Sequence, residues 1–148
     1  YEGHLSNSLV TLPKLMKDAG YHTYMVGKWH LGKAPDKIPA ARGFERDFTL
    51  LDGMGSYWDM TNMTALNPTS VFTEDGKYLT KLPKNYYATE TYTDKMINFI
   101  DEGRKDGKPF FISGPNDNAK MIFDKLMHTA GEGNFEFLMG FDGMDEAL

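Results

Sequence analysis

The sequence predicts an α/β fold in which helices pack on a central, mostly parallel sheet, and three observations carry that expectation. Leu12, Leu15, Met16 and Ala19 recur at i, i+3, i+4 and i+7, and Gly20 then leads into residues 21–26, rich in aromatic and β-branched side chains. That succession reads as a helix handing over to a strand. It returns when Tyr92, Met96, Phe99 and Ile100 form a second helical face ahead of the apolar run 109–113, the kind of run that forms a buried parallel strand. Between the two units lies a crowded turn, Gly27-Lys28-Trp29-His30-Leu31-Gly32. Helix, glycine, strand and polar turn make one unit of an α/β layer.

Taken in order, Thr11 is placed to cap the first helix, with Pro13 in its first turn and Gly20 at its end. Its apolar face is expected to cover the sheet beneath the Lys28 turn. Residues 34–46 read as loop, with Pro35, Pro39 and alternating charges, and Gly43-Phe44 leads into a short strand over 47–51. Gly53 and Gly55 break it. Ser56-Tyr57-Trp58-Asp59 then places two aromatics in a glycine-rich loop, either anchoring the loop on the core or lining a pocket. Asn62-Met63-Thr64 fits the N-glycosylation triplet, a match that arises readily by chance. Residues 71–79 read as a hairpin turning at Asp75-Gly76. Thr89 or Thr91 is placed to cap the second helix, which runs to Gly103 or Gly107.

The 148 residues suffice for one domain with a core, and no apolar run reaches the roughly 18 residues a membrane span needs. A net charge of −5 disfavours nonspecific nucleic-acid binding, which depends on neutralising phosphates. The absence of cysteine excludes disulfides, cysteine zinc sites and a cysteine nucleophile. The ten methionines show no metal or redox cluster and read as core filler. The opening Tyr1-Glu2-Gly3-His4 has neither an initiating Met nor an apolar leader and is expected to be interior sequence.

The chemistry concentrates at Lys28 and His30. A strand end turning sharply into a site is where open α/β sheets bind ligands. If the turn is extended, Lys28 and His30, two residues apart, point to the same side. An ammonium beside an imidazole N–H suits an anion with several oxygens, sulfate or phosphate. The plainer alternative makes Lys28 a solvated charge and His30 a core histidine.

Residues 20–32, Gly-Tyr-His-Thr-Tyr-Met-Val-Gly-Lys-Trp-His-Leu-Gly, closely resemble the second sequence motif of the sulfatase family, the formylglycine-dependent sulfuric ester hydrolases. Arg42-Gly43-Phe44, Phe72-Thr73-Glu74-Asp75-Gly76, Tyr86-Tyr87, Thr93-Asp94-Lys95 and Lys108-Pro109-Phe110-Phe111 resemble further landmarks in family order, so the resemblance covers roughly residues 8–112. It is nearest to bacterial-type arylsulfatases. It implies an alkaline-phosphatase-like sandwich and a catalytic role for Lys28 and His30 as sulfate contacts. It also implies Ca²⁺ and formylglycine as cofactors of a full-length member, a sulfated small molecule or carbohydrate as substrate, and a periplasmic or secreted location.

The sequence departs from the family pattern in three respects. No Ser-x-Pro-x-Arg or Ser-x-Ala-x-Arg occurs and there is no cysteine, so formylglycine cannot form on this chain. The aspartate pair of the family's first strand is also missing. After Ile112 the family's Ala-Pro-His is replaced by Ser113-Gly114-Pro115-Asn116-Asp117-Asn118. Asp117 and Asn118 then either cap a following helix or resemble the family's late turn whose Asp and Asn ligate calcium. The domain expectation follows: residues 1–112 are an interior part of the sulfatase catalytic domain, and 113–148 are a divergent tail or a later sulfatase segment joined after an internal deletion. The missing N- and C-terminal parts of the same domain are therefore its expected partners.

The function expected of the parent protein is hydrolysis of sulfate esters to alcohol and inorganic sulfate. The alternatives are a degenerate anion-binding relative, or a phosphoesterase or phosphonate-ester hydrolase of the same superfamily. These 148 residues alone are expected to bind an anion and not to attack sulfur.

Overall fold

The computed structural model describes residues 3–64, 67–115 and 124. Within them the order is α1 (Leu12–Asp18), β1 (His22–Lys28), β2 (Arg46–Leu50), β3 (Phe72–Glu74), β4 (Lys77–Tyr78), α2 (Ala88–Gly103) and β5 (Phe110–Ser113), with short 3-10 turns at Pro39–Arg42 and Arg104–Asp106. One mixed sheet runs β4-β3-β2-β1-β5. β1 is central and parallel to both neighbours, Tyr24 registering with Arg46 of β2 and Met25 with Ser113 of β5. β3 pairs antiparallel with β2 and with β4. The α/β expectation holds, with an antiparallel hairpin added at one side of the parallel strands.

Alternation along the strands divides the core between the two faces. Tyr24, Val26, Phe48, Leu50 and Phe72 pack with Tyr92, Met96, Phe99 and Ile100 of α2, the four residues of the predicted helical face. Met25, Trp29, Ile38, Phe44, Leu51 and Phe111 form the core on the opposite face. The Asp75-Gly76 turn has positive φ at both positions, 48° and 75°, the backbone that a tight hairpin of this twist requires.

Three local expectations are corrected. Thr11 precedes α1 without capping it, because its hydroxyl donates to the carbonyl of Arg42. Leu12 and Leu15 do not cover the sheet: they are 47% and 53% exposed, and α1 touches the core through Pro13 and Met16. Helical period shows that a face exists but not which element covers it. α2 starts one residue before Thr89, after Tyr87, and no side chain caps it. Thr93 instead donates back to the Thr89 carbonyl at 2.8 Å.

Candidate active site

The carboxyl ends of the parallel strands β1, β2 and β5 converge on the Lys28 turn. β1 extends through Gly27, whose φ is +101°. A Cβ there would lie 2.6 Å from Cγ of Pro115, so the chain leaving β5 crosses directly over the end of β1. Only glycine admits that approach. Trp29 then pins the turn: its amide donates to the Leu50 carbonyl at 2.8 Å and its buried indole donates to the Lys37 carbonyl at 2.9 Å. With the tryptophan held inward, Lys28 and His30 on either side are exposed.

The extended turn expected from spacing is not what places His30. Its φ is +54°, so the backbone turns into the left-handed region immediately after the tryptophan. That conformation is uncommon for a residue with a side chain and is over-determined here by the packing around it. The imidazole fills the space beside Gly53, where a Cβ would sit 2.5 Å from Cε1 and 2.6 Å from Nε2. Gly53 lies just past β2, so the end of one strand sets the ring on the end of its neighbour.

Asp52 fixes that second strand end, a role not legible in the sequence. Its buried carboxylate accepts hydrogen bonds from the Val71 amide at 2.7 Å, from Asn62 Nδ2 at 3.1 Å and from Lys33 Nζ. The Leu-Leu-Asp-Gly sequence reads as an ordinary turn, and nothing local signals that its aspartate gathers three distant donors. The buried Asn62 amide belongs to this network and also accepts from the Thr64 amide at 2.9 Å, so the glycosylation triplet is structural sequence. Lys33 is neutralised by Asp52 and Lys37 by Asp36, whereas Lys28 enters no ion pair among the described residues. An ammonium and an imidazole N–H are groups that can donate to an anion with several oxygens.

The described residues do not form a calcium site. Among the described residues no three His, Cys, Asp or Glu gather closely enough to hold a metal ion. Asp117 and Asn118 lie outside the described residues. The chain has no cysteine and none of its serines has the formylglycine precursor motif, so no residue here supplies that nucleophile. No helix among the described residues is long and apolar enough to cross a membrane.

Fold and site together define an α/β protein with a lysine and a histidine exposed at the carboxyl end of its central strand. The sulfatase family model matches residues 1–114, and the chain belongs to the sulfatase family, the sulfuric ester hydrolases. It is 36% identical over 125 residues to an uncharacterized sulfatase of Schizosaccharomyces pombe, covering 78% of this chain and 22% of that protein. It is 34% identical over 115 residues to an arylsulfatase of Klebsiella aerogenes, covering 75% and 24% respectively. A solved structure in complex with its substrate D-glucosamine-2-N,6-O-disulfate is 35% identical, with a TM-score of 0.52 over 74% of this chain and 19% of that one. The described sheet is accordingly part of the alkaline-phosphatase-like fold of sulfatases. The chain spans about a quarter of the length of the two curated relatives.

Proposed function

We propose that this chain is part of a sulfatase that hydrolyses aryl or carbohydrate sulfate esters to an alcohol and inorganic sulfate, with Lys28 and His30 as its sulfate contacts. The observation that carries the reading is the placement of both side chains at the carboxyl end of the central strand, the imidazole seated against Gly53. Lys28 brings a positive charge to the sulfuryl oxygens, and His30 brings a ring N–H or, when protonated, a second cation. Such donors, aimed at charge that grows in the transition state, accelerate reaction more than they tighten binding. The nucleophile and the divalent cation are proposed to come from parts of the full-length protein beyond these 148 residues. A sulfated carbohydrate is favoured as substrate by the D-glucosamine-2-N,6-O-disulfate bound to the structural neighbour.

The test is kinetic, in the full-length enzyme with 4-nitrophenyl sulfate. Lys28→Ala and His30→Ala are each expected to lower kcat by about 10²–10³, the usual loss when one such donor is removed. Turnover near wild type in either variant assigns that residue to packing or solvent instead.

A further inference from the structure

Three aromatic side chains stand out of the surface beside the site, and the sulfate contacts do not use them. Tyr57, Trp58 and Tyr87 are 50%, 69% and 36% exposed. Their rings nonetheless associate, with centroids 6.1 Å apart for Tyr57–Trp58, 6.4 Å for Tyr57–Tyr87 and 5.9 Å for Trp58–Tyr87. The loop bearing the first two is tied down. The Tyr57 carbonyl accepts from the Ala88 amide at 2.8 Å, Ser56 Oγ accepts from the Trp58 amide at 3.1 Å, and the Ser56 amide donates to Thr61 at 2.9 Å. Exposed aromatics that merely anchor a loop turn inward. These are held outward by a closed backbone.

The platform lies at the same end of the sheet as Lys28 and His30. α2 ends beside Tyr24 and Phe110, near the amino ends of β1 and β5, as the close approach of Gly103 to both rings shows. Its first residue therefore sits at the carboxyl edge, with Tyr87 immediately before it. Trp58 follows Gly53, the residue against His30, by five positions, a reach of at most about 18 Å even fully extended. Of the other exposed apolar residues, Leu9, Val10, Leu12 and Leu15 belong to the N-terminal segment and α1, Met54 and Met63 lie in the loop between β2 and β3, and Tyr78 is engaged through its hydroxyl, which donates to the Lys33 carbonyl at 2.6 Å.

We infer that Tyr57, Trp58 and Tyr87 form a sugar-stacking subsite that holds a pyranose ring of the substrate while its sulfate group lies at Lys28 and His30. Flat, amphipathic rings offer contact area at low entropic cost and suit the apolar C–H face of a sugar. This rests on the sulfatase reading, and it adds that the preferred substrate is an oligosaccharide sulfate rather than a small aryl sulfate.

The experiment uses full-length enzyme, with Trp58→Ala, Tyr87→Ala and the ring-retaining Trp58→Phe. Chondroitin-6-sulfate tetrasaccharide and κ-carrageenan hexasaccharide are compared with 4-nitrophenyl sulfate. Each alanine variant is expected to lose about tenfold in kcat/KM on at least one oligosaccharide, chiefly through KM, as loss of one aromatic contact does. Turnover of 4-nitrophenyl sulfate stays within twofold of wild type, and Trp58→Phe recovers most of the loss. Equal losses on all substrates, or no loss on any, overturn the subsite, as does failure of the wild-type enzyme to cleave either oligosaccharide while it cleaves the aryl sulfate. If wild type cleaves no sulfate ester, the sulfatase reading fails separately. Quenching of Trp58 fluorescence by the two oligosaccharides then decides the platform by itself, a response absent in Trp58→Phe supporting it and no quenching overturning it.

Discussion

The imidazole of His30 occupies the space that a side chain on Gly53 would need, 2.5 Å separating Cε1 from a Cβ built there. The contact joins the end of β1 to the end of β2 and gives the ring a seat that its own left-handed backbone does not supply.

Gly53→Ala tests that seat without substituting either proposed sulfate contact. The ring can swing away from the added methyl at little cost in folding, so the melting temperature of the full-length enzyme is expected to change by no more than a few degrees. Turnover of 4-nitrophenyl sulfate is expected to fall by between about tenfold and 10³-fold, because displacement of about an ångström is costly in a preorganised site. Wild-type turnover in Gly53→Ala would show that catalysis does not depend on this ring position.

Asp52 provides the second prediction. Its carboxylate is the shared acceptor for Val71, Asn62 and Lys33. Asp52→Ala strands buried donors and is expected to cost about 2–4 kcal/mol, the scale of breaking a buried polar network. Asp52→Asn keeps an acceptor for the Val71 amide and is expected to cost less than half as much. Equilibrium urea unfolding of full-length variants checks both, and equal stability of Asp52→Ala and wild type would refute the anchoring role.

Legibility in the sequence followed locality. α2 and β5 could be read because Tyr92, Met96, Phe99 and Ile100 obey a period that packing then used. The hairpin could be read because Asp-Gly supplies the backbone its turn demands. Lys28 and His30 could be picked out from their neighbours and from the family resemblance, but His30's positive φ and its seat on Gly53 are long-range facts. The α1 face misled because Leu12 and Leu15 share a helical period with Met16 while only Met16 reaches the core. Asp52 stayed hidden because its donors lie 10 and 19 residues away in sequence.

A third prediction concerns pH and the carboxylate of Asp47. It is fully buried and accepts from Thr73 Oγ1 at 2.6 Å, Thr49 Oγ1 at 3.1 Å and the Gly76 amide at 2.8 Å, holding β2 to the hairpin turn. Burial nevertheless pushes its pKa up, outweighing these hydrogen bonds. A carboxyl group raised on folding contributes stability below its unfolded value, and that contribution is lost as pH rises through the folded value. Asp106 runs the other way. The Lys108 amide, ahead of His22 and Lys108 side chains, lowers it to about 2, so its contribution is present above 3.8 and lost as pH falls toward 2. Asp47→Asn is therefore expected to flatten the loss of stability between the acid range and neutrality, and Asp106→Asn to flatten the loss below pH 3.8. Urea midpoints measured from pH 2.5 to 8 check both slopes. An unchanged profile in Asp47→Asn would refute the burial argument.

The last prediction concerns these 148 residues expressed as a polypeptide by themselves. Leu12 and Leu15 are half exposed on α1, and Leu9 and Val10 are exposed just before it. The outer strands β4 and β5 each have one partner among the described residues, leaving backbone donors and acceptors along their free sides. Contiguous apolar surface and open strand edges are what association uses. β4 is only two residues long and its pattern is exposed on both, so it offers little pairing length. β5 offers the longer open edge, four residues whose carboxyl end lies beside the site. The polypeptide is expected to self-associate at micromolar concentration. Leu12→Glu combined with Leu15→Glu should shift the population toward monomer without loss of helix signal, because neither side chain is in the core. Sedimentation velocity at several concentrations separates the outcomes. A wild-type monomer at all of them would show that the aliphatic face and open edges do not drive association. Association unchanged by the double substitution would instead move the cause from α1 to the edge of β5, the strand whose exit crosses Gly27 and the Lys28 turn.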